Sequence, residues 1–462
     1  MENKKNLSRK EFLSYSAMVG SVAAFGSLSP MLTSCGSTAT KDGELVPLKA
    51  VGEYYVPNLP DIAPDGKELK VALVGCGGRG SGAVENILAA ANGLKVVALG
   101  DVFADRVDGV KKMLVEKYKI EVPAENCFVG FDAYQKVCDT DADIVLFCTP
   151  PVFRPMHYKY AVEKGKHTFL EKPVAVDPAG YRTLISAAKN ADMKGLSCVT
   201  GTQRHHQRPY VESFKKIQEG LIGEITGGNV YWNGGMLWYK ERQPGWSNME
   251  WMIRDWVNWK WLSGDHIVEQ HVHNIDIFNW MTGKKPISAT GMGSRQRRVT
   301  GDQYDNFTVD FDYGNGVHLC SMCRQIDGCS NSVTEKITGT KGFWQIEGGK
   351  FVIRDLQGNS LWEYDVKVEE EKFKQNNPYV LEHVNLIETI RAGKQINQTV
   401  EIADSTLCGI MGRESAYTGK TITWDEAISS ELDMMAPVLE MSNVDMSSYV
   451  VAVPGKDRSA KK

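Results

Sequence analysis

Hydrophobic and polar positions along this chain follow two rhythms, and the change from one to the other divides it. From Glu68 onward, short unbroken apolar runs alternate with segments of helical period. Residues 69–75, 94–101, 142–150, 167–171 and 196–201 read as strands. The intervening stretches 81–91, 104–118, 156–164 and 177–193 carry apolar residues at three- and four-residue spacing and read as helices. Strands that are apolar on both faces belong to a parallel sheet covered by helices on each side. An α/β, doubly wound Rossmann unit is therefore expected over residues 68–201. Near Ile225 the strands lengthen and begin to alternate, at 228–232, 307–313, 316–324 and 342–347. This predicts a C-terminal α+β unit over residues 202–430, built on a large, mostly antiparallel sheet, with helices at 269–281 and 379–392.

The ends follow neither rhythm. Lys4, Lys5, Arg9 and Lys10 precede a weakly apolar stretch at 14–32 that closes on Leu32-Thr33-Ser34-Cys35. That closing run resembles a bacterial lipobox. Ser8-Arg9-Lys10-Glu11-Phe12-Leu13 resembles a twin-arginine export signal with Lys10 in place of the second arginine. The expectation is a signal peptide over residues 1–34 and export to the bacterial periplasm, with membrane contact only through a lipid on Cys35. Residues 35–67, with Pro47, Pro57, Pro60 and Pro64, read as a linker or arm, and 431–462 as an irregular tail.

Composition narrows the picture a little. Hydrophobic residues make up 42% and charged residues 24% of the chain, enough apolar material for large cores. The formal net charge of −4 argues against nucleic acid as a partner. Most cysteines lie in apolar strand-like runs (Cys76, Cys148, Cys198) and read as small buried hydrophobes. Cys320 and Cys323 have CxxC spacing, but on a strand they face opposite sides. His271 and His273 project about 200° apart on a helix. No metal site is expected.

The first chemistry-bearing motif is Val71-Ala72-Leu73-Val74-Gly75-Cys76-Gly77-Gly78-Arg79-Gly80, a strand running into a glycine-rich turn and a helix. Gly75, Gly77 and Gly80 fit GxGxxG. The first allows the tight turn, the second lets backbone approach a pyrophosphate, and the third permits close helix–strand contact. Gly78 and Arg79 complete the turn and count with it as cofactor-contacting residues. Asp101 ends the next strand, where a carboxylate accepts the adenine-ribose hydroxyls and repels a 2′-phosphate. That favours NAD over NADP, against Arg106, a nearby cation able to accommodate such a phosphate.

Leu170-Glu171-Lys172-Pro173 closes the fifth strand, at the end where an open parallel sheet presents ligands. A lysine there can hydrogen-bond a substrate hydroxyl and assist proton transfer. The glycine turn, Asp101, Cys148-Thr149-Pro150 and Glu171-Lys172-Pro173, in this order, resemble the glucose–fructose oxidoreductase, inositol dehydrogenase and rhizopine-catabolism (Gfo/Idh/MocA) family. So do Ile337-Thr338-Gly339-Thr340-Lys341-Gly342 and Arg413-Glu414-Ser415-Ala416-Tyr417-Thr418-Gly419-Lys420 downstream, and the resemblance spans residues 69–426. It implies a catalytic role for Lys172 and cofactor contacts from Thr149, Pro150 and Glu171. The family's second motif, an Asp, then a His, then an Asp, matches Glu269, His273 and Asp276, with Glu269 where Asp is usual. On one helix, Glu269 and His273 would share a face. A neutral imidazole suits the proton lost from a carbinol, so His273 is the expected base, with Lys172 as its partner and Glu269 beside them.

Substrate class rests mainly on the resemblance, which implies a sugar or glycoside. Trp251, Trp256, Trp259 and Trp261 crowd one stretch with Arg254 and Lys260. Aromatic faces pack on pyranose C–H faces, but a tryptophan-rich core would give the same pattern. Trp256, Arg204 and Asp276 are the expected substrate contacts. An exported enzyme cannot readily exchange cytoplasmic NAD, so the cofactor would be tightly held and regenerated in place. One route oxidises one substrate and reduces another. A second oxidises, eliminates, hydrates and reduces a single glycoside, as is known in glycoside hydrolase family 109. A sugar-binding lipoprotein with a vestigial dinucleotide fold is a third reading, against which the intact Lys172 and His273 argue. An open antiparallel sheet face needs a cover, which predicts a homodimer or homotetramer.

Overall fold

The computed structural model describes residues 55–455, so the expected signal peptide and Cys35 lie outside the described residues. Six parallel strands, β1 (Leu69–Val74), β2 (Leu94–Asp101), β3 (Cys127–Val129), β4 (Ile144–Phe147), β5 (His167–Leu170) and β6 (Cys198–Thr200), form the first sheet in the order β3-β2-β1-β4-β5-β6. The order reverses between β1 and β4. Loops leaving the carboxyl ends of these two strands diverge to opposite faces and open a crevice there. β1 and β4 are wholly or almost wholly buried, as unbroken apolar runs require. Asp177 caps the helix Pro178–Met193 by accepting from Gly180 N at 2.6 Å.

The second sheet has nine strands: β7 (Ile225–Gly234), β8 (Ser288–Ser294), β9 (Asn306–Asp312), β10 (His318–Gln325), β11 (Ser332–Gly339), β12 (Gly342–Glu347), β13 (Lys350–Asp355), β14 (Ser360–Glu363) and β15 (Ile422–Thr423). Their order is β14-β13-β12-β11-β7-β10-β9-β8-β15. Only the β7–β10 join is parallel. Burial alternates strictly along β10, so Cys323 is buried while Cys320 faces the other side. Both sheets fall within one compact unit.

Three features depart from the sequence pattern. β3 and the helix Ala133–Cys138 were not foreseen, because a three-residue, half-exposed strand leaves no apolar run to read. The helix Thr399–Thr418 is buried around most of its circumference and so carries no amphipathic stripe. The single helix expected at 269–281 is two helices, His266–Glu269 and Val272–Thr282. The break is a matter of hydrogen bonding: His271 N donates to His266 O at 3.1 Å, one residue further back than α-helical pairing. Glu269 and His273 therefore do not share a face of one continuous helix.

Residues 431–455 are irregular but packed rather than loose. Met434, Met435, Leu439, Val444, Met446 and Tyr449 lie against a core that includes Trp259, Trp261, Met249 and Met252. Met434 N donates to Asp177 Oδ2 at 2.7 Å, Met249 N to Ser442 O at 3.2 Å and Tyr304 OH to Ala452 O at 2.9 Å.

Candidate active site

A cavity of about 430 Å³ occupies the crevice at the reversal of the first sheet. Gly75, Gly77, Gly78 and Arg79 form one wall, Asp101 and Arg106 a second, and Cys148, Thr149 and Pro150 a third. Gly75 has φ +94, open to glycine, and a Cβ there would meet the Cys148–Thr149 backbone at 2.6–2.8 Å. A Cβ on Gly80 would lie 1.8 Å from Gly75 O, whereas one on Gly77 or Gly78 would meet nothing within 4 Å. The turn is thus packed tightly behind and open in front, which fits a ligand phosphate resting on backbone at a helix N-terminus. Asp101 holds this turn: Oδ2 accepts from Cys76 N at 2.7 Å and Oδ1 from Phe103 N at 2.9 Å. Burial nonetheless raises its pKa.

The opposite wall comes from the second half of the chain, and of its residues only Trp256 and Arg254 stood out in the sequence. Trp238, Lys240, Ile253, Arg254, Trp256 and, from the tail, Leu439 roof the cavity. Arg254 bridges the halves: its guanidinium donates to both Asp105 oxygens at 3.0 and 3.3 Å and stands 3.8 Å over the Phe103 ring. Of the crowded tryptophans, Trp259 and Trp261 are core, and Trp256 lines the cavity.

Lys172, Glu171, Glu269, His273, Arg204 and Asp276 are not among the residues lining this cavity. Lys172 follows β5, and its ammonium donates to Glu269 O at 2.5 Å and Glu269 Oε1 at 3.0 Å. An ammonium has three donors, so one remains free. Arg154 ties this turn to the cavity, donating to Thr149 O at 2.9 Å and Pro173 O at 2.6 Å. It is buried, and burial lowers its pKa to about 10. Arg79, which also lines the cavity, pairs with Glu171 and donates to Glu382 Oε1 at 3.0 Å. Glu382 lies on the helix Pro378–Arg391, far along the chain, and no motif points to it.

His273 is buried against Trp232, with ring centroids 5.8 Å apart and planes at 20°. Its Nδ1 has no hydrogen-bond partner among the described residues. Burial first, then the charges of Lys172 and Arg204, push its pKa well below the ordinary 6.5. It is therefore a neutral imidazole, as a proton acceptor must be. Asp276 is already engaged: Oδ2 accepts from His205 Nε2 at 2.6 Å and Oδ1 from Ser405 Oγ at 2.8 Å. Burial would lower His205, but the Asp276 carboxylate outweighs it and raises the pKa. Arg204 pairs with Glu335, which also accepts from Tyr210 OH at 3.0 Å and Asn274 Nδ2 at 2.5 Å. These two expected substrate contacts thus have protein partners. Among the described residues no group of His, Cys, Asp and Glu is arranged to hold a metal. His271 instead shares a hydrogen bond with Ser321 Oγ at 2.7 Å.

Comparison with known proteins agrees with this fold. Residues 69–197 match the model of an oxidoreductase family with an NAD-binding Rossmann fold (GFO_IDH_MocA), and residues 211–345 match the GFO/IDH/MocA C-terminal domain. Together they span more than half of the chain. A scyllo-inositol 2-dehydrogenase (NAD(+)) of Bacillus subtilis (strain 168) is 22% identical over 368 residues, 78% of this chain and 97% of that protein. A glycosyl hydrolase family 109 protein of Streptomyces coelicolor is 28% identical over 225 residues, 48% of this chain and 45% of that one. Among solved structures, the aldose-aldose oxidoreductase from Caulobacter crescentus complexed with glycerol is similar in fold. It has a TM-score of 0.59 at 17% identity, over 77% of this chain and 99% of its own.

Proposed function

The chain belongs to the Gfo/Idh/MocA oxidoreductase family, and from that premise we propose that it oxidises a secondary hydroxyl of a sugar or glycoside with a tightly held NAD. The observation that carries the reading is the Lys172 ammonium, pinned twice by Glu269 with one N–H left over, near a buried neutral His273. The cofactor would rest on Gly75, Gly77, Gly78 and Gly80, with Thr149 and Pro150 beside it. Bound there, the nicotinamide supplies a hydride acceptor. The free N–H of Lys172 orients the carbinol oxygen, and His273 takes its proton. Asp101 at the ribose end supports NAD over NADP, and Arg106 on the same wall is the counterweight.

A redox-neutral glycosidase is the second reading. The family 109 relative supports it, and so does the roof of Trp238, Arg254, Trp256 and Leu439, which suits a cofactor that never leaves. Both readings fit an exported, lipid-anchored enzyme in the periplasm. The deciding experiment denatures purified protein to identify its dinucleotide. It then incubates native protein with inositols and 4-nitrophenyl glycosides, without added NAD, and identifies products by mass spectrometry. Reduced bound cofactor with an oxidised sugar supports the first reading. Free sugar with no net oxidation supports the second. No bound or bindable dinucleotide refutes both.

A further inference from the structure

Glu269 is gripped on both carboxylate oxygens. Oε1 accepts from Lys172 Nζ, and Oε2 accepts from Nε2 of the adjacent Gln270. Gln270 Oε1 accepts in turn from Gln325 Nε2 at 2.8 Å, and Gln325 Oε1 from Arg298 Nη2 at 2.5 Å. Glu269, Gln270, Gln325 and Arg298 are all buried. Arg298 is anchored independently, donating to Tyr304 O at 2.6 Å and Asn258 Oδ1 at 3.0 Å. The four residues come from the end of the helix His266–Glu269, the break after it, β10, and the loop between β8 and β9. Only the fold brings them into line.

A primary amide can turn either its oxygen or its NH2 toward a neighbour, but an ionised carboxylate only accepts, so Glu269 calls for the NH2 of Gln270. A guanidinium has donors only. Gln325 must therefore give its oxygen to Arg298, which leaves its NH2 for Gln270. Gln270 must receive that NH2 with its oxygen, which leaves its own NH2 for Glu269. We infer that Gln270 and Gln325 are positioning residues, an amide relay anchored on Arg298 whose two ends demand the same polarity, and which holds an N–H on Glu269 Oε2 and so fixes Glu269 and Lys172 for reaction. No proton travels along it. With Oε2 held, the carboxylate cannot swivel, Oε1 stays on Lys172, and the remaining N–H of Lys172 keeps one direction. The chemistry of this inference rests on the dehydrogenase reading, and its geometry does not.

Two variants distant from Lys172 test it. Gln325→Glu keeps the shape and the contact with Arg298 but has no N–H, so Gln270 must turn its amide away. Gln325→Leu removes the link. In protein labelled with nitrogen-15 at glutamine side chains, the Gln270 NH2 signal is identified by its loss in Gln270→Leu. In the parent one Gln270 proton should lie far downfield, bonded to a carboxylate, and in both Gln325 variants that shift should disappear. At matched cofactor occupancy, reduction of bound nicotinamide by saturating inositol or glycoside should slow by about 10- to 100-fold. The half-saturating concentration should change by less than about threefold, because substrate binding is not what the relay serves. A purely structural role would lower the melting temperature and leave both signal and rate in place, which overturns the inference. So does a rate that is unchanged although the signal has moved. If no inositol or glycoside reduces the parent's cofactor, the dehydrogenase reading fails, and the Gln270 signal still decides the relay.

Discussion

Lys172 and His273 stand close in effect though far apart in sequence, and the environment of each sets its task. Lys172 is a donor constrained to one free direction, and His273 is an imidazole kept neutral by burial and by neighbouring cations. Lys172→Ala and His273→Ala should each slow reduction of bound nicotinamide by about 10²–10⁴-fold. Neither residue lines the cavity, so cofactor content should stay at the parent's level. Single-turnover absorbance at matched occupancy measures both. The sign of the His273 shift adds a second test. A pKa depressed below 6.5 keeps the ring unprotonated as pH falls through that value. The reduction step should therefore show no loss centred at pH 6.5, and an acid limb there would mean that His273 is not the base. At this scale the sequence named Lys172, Glu269 and His273, because each sits in a motif. It could not name Arg154, Gln325, Arg298 or Glu382, whose neighbours in space are distant in the chain.

The junction from β1 into the helix Gly78–Ala90 is where local sequence and function coincide most closely. Gly80 packs directly on Gly75, and a Cβ there would lie 1.8 Å from Gly75 O, inside any permitted contact. Gly80→Ala should push the helix off the strand and abolish dinucleotide retention. Nicotinamide released on denaturation, compared with the parent's, provides the measure, and undiminished content would contradict the tight packing. The strand–helix–strand pattern around this turn was legible because buried parallel strands are uniformly apolar. The helix Thr399–Thr418 and the break at Gln270–His271 were not, for different reasons. The first is surrounded by protein and shows no polar face, and the second is a slip in hydrogen bonding that side-chain periodicity does not record.

Across the whole molecule, the second half of the chain closes the cofactor crevice of the first. Arg254 spans the two by its contacts with Asp105 and Phe103, and the tail presses Leu439 onto the same roof. Arg254→Ala should leave the fold intact and raise the rate of NAD release by about tenfold or more, followed by fluorescence after dilution; an unchanged rate would show that the roof does not retain the cofactor. Acid stability is also a property of the whole. His157, His206 and His271 are pushed down to about 3, chiefly by burial. The unfolded chain takes up protons from pH 6.5 downward and the folded one does not. Their contribution to stability should therefore be full above pH 6.5 and fall toward pH 3, by about 1.4 kcal/mol per pH unit for each such histidine. The carboxylates of Asp101, Asp177, Asp255, Asp302, Glu335, Glu382 and Asp404, raised by burial, and His205, raised by Asp276, act in the opposite sense. Replacing His157 with Gln should remove its share of this slope, and a stability profile between pH 6.5 and 3 no flatter than the parent's would contradict its burial. On the second sheet, Met292, Thr308, Met322 and Tyr231 form one cross-strand row, with Met292 and Met322 exposed. We propose that this face pairs copies of the chain, so light scattering at micromolar concentration should show a dimer or tetramer rather than a monomer. The sequence by itself determined the parallel first sheet, the glycine cradle, Asp101, the Lys172 turn and the mostly antiparallel second sheet. Each is written in local periodicity or in residues adjacent along the chain. Tertiary structure alone decided where Arg79 points, how Glu269 is held and what roofs the crevice. Those contacts join residues far apart in the chain, and burial and hydrogen-bond pairing select among partners that no local pattern distinguishes.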